Sequence, residues 1–338
     1  MHSLEYSRDQ EILDTQVTKS HVVILGAGAS LAAFPSGDRS GKRLPVMNNL
    51  VEVCGVAETL NRAGLDPKRN FEELYSELSS QPKYKSLQDR INDQLEEYFW
   101  SLRMPDQPTI YDLLVLSLRP KDVIATFNWD PLLYQACWRN HKAATLPRVL
   151  YLHGNVSLGY CLVHRKKGLF GDSCSQCGQL YTSSELLYPV QKKGYNSDPF
   201  INAEWKGLQA ALKHAFMLTI FGYAAPQSDV EALTLMGDAW GDASSRAFEQ
   251  VEIIDVKSDA ELRTTWAPFI HTHHYDVRHS FYDSWIGLHP RRSCEASWQQ
   301  FFEAKFISSN QAPRGTSLAE LWSWLKPLLS VEAGQSTP

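Results

Sequence analysis

No apolar run of membrane-spanning length occurs in this 338-residue sequence. A transmembrane helix needs about 18 to 20 consecutive apolar residues, and the best candidate, HAFMLTIFGYAA at 214–225, is shorter than that. The opening residues, MHSLEYSRDQEILDTQ, carry charges throughout and lack the apolar segment of a secretory signal. We therefore expect a cytoplasmic protein with no membrane partner.

An excess of charge of either sign is also missing. The chain has 33 lysine and arginine residues against 38 aspartate and glutamate residues, a formal net charge of −5. Proteins that coat nucleic acids are usually basic, so we expect no direct nucleic-acid binding. Six cysteines are too few for a disulfide scaffold at this length, and clustered cysteines in a reducing cytosol more often bind a metal.

Short apolar runs rich in β-branched residues are what the sequence has instead. Five of them end in polar or glycine-containing turns: HVVILGAG (21–28), DVIATFN (122–128), RVLYLHG (148–154), FMLTIFGY (216–223) and VEIIDV (251–256). Their apolar residues are continuous rather than alternating, which is typical of parallel strands buried on both faces. Because helix-like segments lie between them, the pattern predicts a Rossmann-like, doubly wound α/β fold.

Two stretches depart from this alternation. Residues 60–118 contain several helix-like segments and no strand, which predicts a helical insertion, and residues 155–190 are rich in glycine, cysteine and lysine. We predict an N-terminal extension at 1–20, a catalytic domain at 21–290 and a helical tail at 291–338 that ends in the disordered-looking EAGQSTP. The histidine-rich segment HTHHYDVRHSFYDSW has no metal-ligand spacing and is predicted to be a strand followed by a loop.

Two pairs of metal-ligand residues lie within 155–190. Cys161 and His164 form a C-x-x-H pair, and Cys174 and Cys177 form a C-x-x-C pair after nine intervening residues. Such pairs on short turns are typical of tetrahedral structural zinc. The sequence therefore predicts a structural Zn²⁺ site, which would order a segment that has no core of its own.

Polar and glycine residues stand at the carboxyl ends of the predicted strands, where open α/β sheets bind ligands. These residues are Gly26, Ala27, Gly28, Ala29 and Ser30, then Asn128 and Asp130, then His153, then Gly222 and Tyr223, and finally Asp255. Glycines at 26 and 28 allow the backbone to approach a diphosphate. Asn128 is placed to orient a water molecule or to hydrogen-bond a ribose hydroxyl.

The glycine loop departs from the usual dinucleotide motif. Leu31 occupies the position of the third glycine in G-x-G-x-x-G, and the residues that follow look unlike a helix leading to a second strand. These departures argue against an ordinary dehydrogenase. Glycines at strand ends also serve tight turns, so the loop alone leaves phosphate binding open.

The other polar residues have structural alternatives. Asp130 fits a helix N-cap, and Ser228 with Glu231 fits a capping box in which Asp229 only favours the helix dipole. A single histidine such as His153 at a strand end is often structural.

Taken in order, these motifs resemble the sirtuin superfamily. The resemblance rests on GAGAS at 26–30, FNWD at 127–130, LHG at 152–154, the cysteine and histidine pairs, and FGYAAPQSD at 221–229. Other segments differ from protein-deacylating sirtuins, namely FPSGDRSGKRLPVMNNL after the glycine loop and LLYPVQKKGYNSDPF after the metal ligands. The pattern is closer to the sirtuin-like NAD hydrolases of bacterial antiphage defence.

The resemblance implies an NAD⁺ glycohydrolase that depletes cellular NAD⁺. It implies that Asn128 and His153 are catalytic, that Asp130 contacts nicotinamide, and that residues 26–30 hold the diphosphate of NAD⁺. Partners that it implies are further copies of the chain and a defence protein such as a HerA-type ATPase.

Two other functions remain open at this point. A sirtuin-type deacylase or ADP-ribosyltransferase would use the same residues with an acyl-peptide or another acceptor, and a sensing subunit would bind NAD⁺ or ADP-ribose without turnover. Because the sequence has no recognisable peptide clamp, water is the expected attacking group.

Overall fold

The computed structural model describes residues 4–190, 194–195, 198–226 and 229–335. Its strands are β1 (Glu5–Tyr6), β2 (Ser20–Leu25), β3 (Val123–Thr126), β4 (Arg148–Tyr151), β5 (Leu158–Tyr160), β6 (Lys167–Leu169), β7 (Thr182–Ser183), β8 (Ala215–Phe221), β9 (Gln250–Ile254), β10 (Tyr275–Arg278) and β11 (Phe306–Ile307). No helix within these ranges combines the length and the apolar character needed to cross a bilayer.

The α-helices lie between and around these strands. They are α1 (Arg8–Leu13), α2 (Ala27–Ala33), α3 (Leu50–Val53), α4 (Ala57–Arg62), α5 (Phe71–Ser80), α6 (Lys85–Trp100), α7 (Ile110–Leu116), α8 (Leu132–Asn140), α9 (Pro199–His214), α10 (Val230–Trp240), α11 (Asp259–Trp266), α12 (Trp285–Leu288), α13 (Ser293–Phe301) and α14 (Leu318–Gln335).

Six parallel strands form the central sheet in the order β4-β3-β2-β8-β9-β10. In order of occurrence within the sheet this is 3-2-1-4-5-6, the order of dinucleotide-binding folds. The predicted doubly wound parallel α/β fold is therefore confirmed. The five predicted runs supply five of the strands, and the histidine-rich segment supplies the sixth, β10.

The middle strands are buried because helices cover the sheet. Val22, Val23, Ile24 and Leu25 of β2 have no exposed surface, which explains their continuous apolar pattern. Helix α9 packs on β2, β3 and β4, and α13 also packs on β2. This rigid layer holds the loops at the carboxyl ends of the strands.

The helical content differs from the prediction at several places. Helix α2 begins within the glycine loop, at Ala27, where no helix was expected, and it ends at Ala33 with Phe34 as its C-cap, because the residue after Phe34 is proline. The insertion begins before residue 60, since α3 and α4 precede α5. Helix α11 was not predicted at all.

The tail prediction also needs correction. Helix α14 continues to Gln335, so residues 332–335 are helical rather than disordered, and residues 336–338 lie outside the described ranges. Arg291 and Arg292 explain the extension, because both donate hydrogen bonds to the Glu332 carboxylate.

Two smaller sheets complete the fold. An antiparallel sheet in the order β6-β5-β7 carries the predicted metal ligands. Strands β1 and β11 pair in parallel, and α1 contacts α14. The segments predicted as N-terminal extension and C-terminal tail are thus in contact with each other.

Candidate active site

A cavity of about 410 Å³ lies at the carboxyl ends of the central strands. It opens at the switch point of the sheet, between β2 and β8, from which the chain continues toward opposite edges. This is the usual ligand position in such folds. Of the predicted nucleotide-site residues, all but the buried Ala29 line it. The sheet therefore brings five separate strand ends into one site.

The glycine loop packs directly against the loop after β8. The Gly26 amide donates to Phe221 O at 3.0 Å, and the Gly28 amide donates to Gly222 O at 2.9 Å. A Cβ atom at Gly28 would lie 2.9 Å from the Gly222 Cα. Gly222 has a φ of +59°, a conformation that favours glycine. These glycines are required by loop packing before any ligand is considered.

The Asn128 side chain has a defined orientation. Its Nδ2 group donates to Gly26 O at 2.9 Å, Ser30 Oγ at 3.0 Å and Tyr111 Oη at 3.2 Å. Because a backbone carbonyl can only accept, the nitrogen must face Gly26. Its Oδ1 atom accepts no hydrogen bond from the described residues, and Asn128 lines the cavity. This oxygen is the free acceptor that Asn128 offers to a ligand.

Asp130 is more enclosed than the sequence suggested. Its Oδ2 accepts from Ser30 Oγ at 2.7 Å and its Oδ1 accepts from the Leu132 amide at 3.0 Å. The residue is 4% exposed, and burial raises the pKa of its carboxyl group. Asp130 is not the N-cap of α8, which is Pro131; one of its oxygens accepts from the first helical amide, and the other anchors Ser30.

His153 lies on the same cavity, at the end of β4. Its Nε2 atom is 3.3 Å from Tyr195 Oη and 4.0 Å from Asp229 Oδ1. The Phe127 ring contacts the imidazole edge-on at 4.7 Å between centroids. The Leu187 amide donates to His153 O at 3.0 Å, so the segment after the metal ligands helps to hold the histidine.

Sequence reasoning missed the carboxylate that faces this histidine. Asp229 begins α10, but its side chain makes no cap hydrogen bond and its Oδ2 accepts from Tyr223 Oη at 2.8 Å. Asp229 is 3% exposed and lines the cavity. The FGYAAPQSD motif contained it, but Ser228, the proposed capping residue, lies outside the described residues.

The helical insertion supplies one wall of the cavity, and no sequence motif predicted this wall. Residues from the segment between α2 and α3 line it, together with Glu72 of α5 and Phe99 of α6. At the other end stands Asp255, whose Oδ1 accepts from the Lys257 amide at 3.0 Å. Asp255 and Lys257 both line the cavity.

The predicted metal ligands form a separate cluster. One ligand atom each from Cys161, His164, Cys174 and Cys177 lies within 4.8 Å of all the others. The Cys161 sulfur is 3.7 Å from the Cys177 sulfur and 3.6 Å from His164 Nδ1. Tetrahedral zinc would space two sulfur ligands about 3.8 Å apart, and sulfur and nitrogen about 3.6 Å apart. The donor set and its spacing fit zinc.

The two ligand pairs lie on matching turns. The Cys161 amide donates to Lys166 O and the Cys174 amide donates to Gln179 O, both at 2.8 Å. Four residues after each of these cysteines the backbone is left-handed, at Arg165 (φ +53°) and at Gly178 (φ +70°). Sequence spacing predicted the pairs, and the structure shows that they are two copies of one turn.

Comparisons with known proteins give a likeness of architecture. No family model matches the chain, and no curated protein matches its sequence. The solved structures similar to it include a Sir2 homologue in complex with NAD, at 14% identity and a TM-score of 0.40, covering 82% of this chain and 91% of that one.

Two further structures are similar to the same extent. One comes from work on the mechanism and regulation of Sir2 enzymes, at 15% identity and a TM-score of 0.38, covering 92% of this chain and 94% of that one. The other is a mutant Sir2 homologue bound to ADP-ribose, at 14% identity and a TM-score of 0.38, covering 95% and 96%.

Proposed function

We propose that this chain is an NAD⁺ glycohydrolase, which converts NAD⁺ and water into nicotinamide, ADP-ribose and a proton. The observation that carries the proposal is the meeting of Asn128 and His153 in one cavity at the switch point of the sheet. An amide oxygen can position an attacking water molecule, and an imidazole can accept the proton that the water releases.

The reaction makes limited demands on the protein. When the bond between C1′ of the ribose and the pyridinium nitrogen breaks, its electrons pass to the nitrogen, and nicotinamide leaves as a neutral molecule. No general acid is needed. The ribose carbon develops positive charge as in glycoside cleavage, and water forms the new C1′–O bond and releases a proton. The protein must hold that water and receive that proton.

Asn128 and His153 suit these two tasks. The Asn128 Oδ1 atom is the free acceptor on the cavity wall and would hold a water molecule or a ribose hydroxyl in position. The His153 imidazole would accept the proton as the new bond forms. Asp130 would contact the nicotinamide, as the sequence resemblance implies, because it lines the cavity and each of its oxygens accepts only one of the hydrogen bonds above.

Product analysis tests the proposal. Purified protein incubated with NAD⁺ alone is expected to release nicotinamide and ADP-ribose in equal amounts, resolved by chromatography. A product that forms only with an acyl-peptide and carries the acyl group would establish the deacylase alternative instead. Tight NAD⁺ binding by calorimetry, without nicotinamide release under any partner condition, would establish the sensing alternative.

We also propose that Cys161, His164, Cys174 and Cys177 hold a structural Zn²⁺ ion. The metal would order the small sheet, which is linked to the active site through Asn155: this residue is hydrogen-bonded to Ser184, next to β7, and its Nδ2 donates to Asp130 O at 2.6 Å. One zinc per chain by elemental analysis is expected. Cys177→Ser should lower the zinc content and the melting temperature together; zinc-free protein of wild-type stability would contradict a structural role.

The biological role that we propose is antiphage defence by NAD⁺ depletion. It rests on the sequence resemblance, as do self-association and a HerA-type ATPase partner. Cells expressing the chain should lose NAD⁺ on phage infection, and cells expressing His153→Ala should not. Co-purification with a candidate ATPase and light scattering would test the partner and the oligomer.

A further inference from the structure

Tyr111 reaches the Asn128 side chain from outside every predicted motif. It lies on α7 of the helical insertion and has no exposed surface. Its hydroxyl oxygen lies 2.6 Å from Ser30 Oγ and accepts from Asn128 Nδ2 at 3.2 Å. The Phe34 ring packs edge-on against it at 5.5 Å between centroids. The insertion thus contributes Tyr111 to a hydrogen-bonded network with Ser30, Asn128 and Asp130.

The direction of these hydrogen bonds can be worked out from the donors available. The two hydrogens of Asn128 Nδ2 are shared among Gly26 O, Ser30 Oγ and Tyr111 Oη. Each hydroxyl has one hydrogen to give. If Asp130 is ionised, Ser30 donates to Asp130 and therefore accepts from Tyr111. Every hydroxyl hydrogen then has an acceptor.

A neutral Asp130 leaves one donor unsatisfied. Its own hydrogen would point at Ser30, Ser30 would donate to Tyr111, and the Tyr111 hydrogen would have no acceptor among these side chains. A buried donor without an acceptor is unfavourable. The Tyr111 hydroxyl therefore favours an ionised Asp130 and a fixed Ser30, which in turn hold the Asn128 amide.

We propose that Tyr111 is a positioning residue that keeps Asn128 Oδ1 directed at the cavity by donating to Ser30 in a chain that ends on the Asp130 carboxylate. The inference rests on the proposed function, because only that function gives Asn128 a substrate to act on. The physical network, however, exists whether or not the protein turns over NAD⁺.

The charge state of Tyr111 agrees with this direction, whereas the burial of Asp130 opposes it. Burial raises the pKa of Tyr111 far above its usual value, so its hydroxyl remains a neutral donor. Burial also raises the pKa of Asp130, while the hydrogen bond from Ser30 and the Leu132 amide act against that rise. The network supplies donors where desolvation opposes ionisation.

A stability cycle tests the network independently of catalysis. Tyr111→Phe, Asp130→Asn and the double variant are compared by urea midpoint. In the wild-type background, Tyr111→Phe should lower the urea midpoint, because the variant loses a hydroxyl whose hydrogen bonds are satisfied. In the Asp130→Asn background the new amide donates to Ser30 and leaves the Tyr111 hydrogen unsatisfied, so Tyr111→Phe should leave the midpoint unchanged or raise it. Equal lowering in both backgrounds would overturn the proposed direction.

Kinetics then test the positioning role. Tyr111→Phe should lower kcat for nicotinamide release about tenfold with KM for NAD⁺ within about twofold, because geometry rather than binding is lost. In a Ser30→Ala background the same change should alter kcat less than about twofold. Wild-type kcat in Tyr111→Phe would overturn the role. If wild-type protein releases no nicotinamide, the proposed function fails, whereas the stability cycle still decides the network.

Tyr75→Phe is the matched control for both experiments. Tyr75 is a buried tyrosine of the same insertion, 1% exposed, and its hydroxyl bonds to Asn92 at 2.6 Å and Gln88 at 3.2 Å. It does not line the active-site cavity. It should lower the midpoint in both Asp130 backgrounds alike and leave kcat unchanged.

Discussion

Two buried polar networks in this protein differ in what lies beside them. At the carboxyl ends of the strands, Ser30, Asn128 and Asp130 are hydrogen-bonded together and line a cavity. A second network crosses β2, β8 and β9 on the side covered by α13. Both join side-chain hydroxyl groups to a buried carboxylate, so they form a natural comparison.

The second network is closed. His21 Nδ1 lies 2.8 Å from Ser293 Oγ and its Nε2 lies 2.7 Å from Thr219 Oγ1, which donates to Glu252 Oε2 at 2.9 Å. The other Glu252 oxygen accepts from the Trp285 amide at 2.8 Å. His21, Thr219 and Glu252 have no exposed surface.

Shifted pKa values do not distinguish the network at the cavity from the second network. Burial raises the pKa of Glu252 to about 7 and lowers the pKa of His21 to about 4, although neither residue faces a cavity at the switch point. Shifted titration is common at functional sites, but structural networks produce it too. A free acceptor on a cavity wall, as at Asn128, is the feature that marks the site.

The largest expected difference between the networks is catalytic. Asn128→Ala and His153→Ala should each reduce nicotinamide release by about 10³-fold or more, since each removes a group that acts in the transition state. Their melting temperatures should stay within about 2–4 °C of the wild type. The measurement is release rate against thermal unfolding, and full turnover by either variant would remove its assigned role.

The next effect concerns a buried ion pair near the closed network. Glu295 of α13 pairs with Arg119, and their side chains are 0% and 8% exposed. Glu295→Ala leaves that arginine buried and unpaired, which should lower the free energy of unfolding by about 3–5 kcal/mol. The kcat per folded molecule should be unchanged.

An exposed pair provides the control for Glu295→Ala. Arg69 and Glu77 are 2.8 Å apart, each with 38% of its side chain exposed. Glu77→Ala should change the free energy of unfolding by less than about 1 kcal/mol. Equal losses of unfolding free energy in the two variants would show that removing one partner of the buried Arg119 pair costs no more than removing one partner of an exposed pair.

A smaller effect depends on pH. Because Glu252 has a folded-state pKa near 7 against an ordinary value of 4.5, its ionisation favours unfolding as pH rises from about 4.5 to 7. The contribution of Glu252 to the free energy of unfolding is greatest below pH 4.5 and falls by at most about 3 kcal/mol by pH 7. Glu252→Gln should therefore gain stability relative to the wild type across this window in urea titrations. A constant difference from pH 4.5 to 7 would contradict the raised pKa.

The smallest effect is expected at the rim of the cavity. Asp255 is only half-buried and lines the cavity, and under the proposed function it would accept from a ribose hydroxyl of the nucleotide. Asp255→Ala should raise KM for NAD⁺ about threefold to tenfold with kcat unchanged, as for an interaction present equally in ground and transition states. A fall in kcat with constant KM would place Asp255 in the chemical step instead.

Local sequence patterns were sufficient for much of the architecture. Continuous apolar runs gave the strands of the parallel sheet, and the spacing of Cys161, His164, Cys174 and Cys177 gave the cluster, because both signals lie within a few residues. The glycines were a mixed case. Gly26 and Gly28 were predicted to face a diphosphate, but their first requirement is contact with Gly222, almost 200 residues away in the chain.

Contacts between distant segments set the rest of the site. Tyr111 meets Ser30 across 81 residues of sequence, and Asp229 meets His153 only because β4 and β8 end near the same cavity. Nothing near Tyr111 in the sequence signals this role, and the FGYAAPQSD motif that contains Asp229 was interpreted there only as a helix start. Helix α2 was missed because its seven residues depend on packing against α7 rather than on an amphipathic pattern.

The most direct test is a structure of Asn128→Ala bound to NAD⁺, the substitution being chosen to slow turnover. We predict that C1′ of the nicotinamide ribose lies between the position 128 side chain and the His153 imidazole, with the diphosphate against residues 26–28. NAD⁺ bound in the reverse direction, with its nicotinamide at Asp255, or bound outside this cavity, would contradict the account.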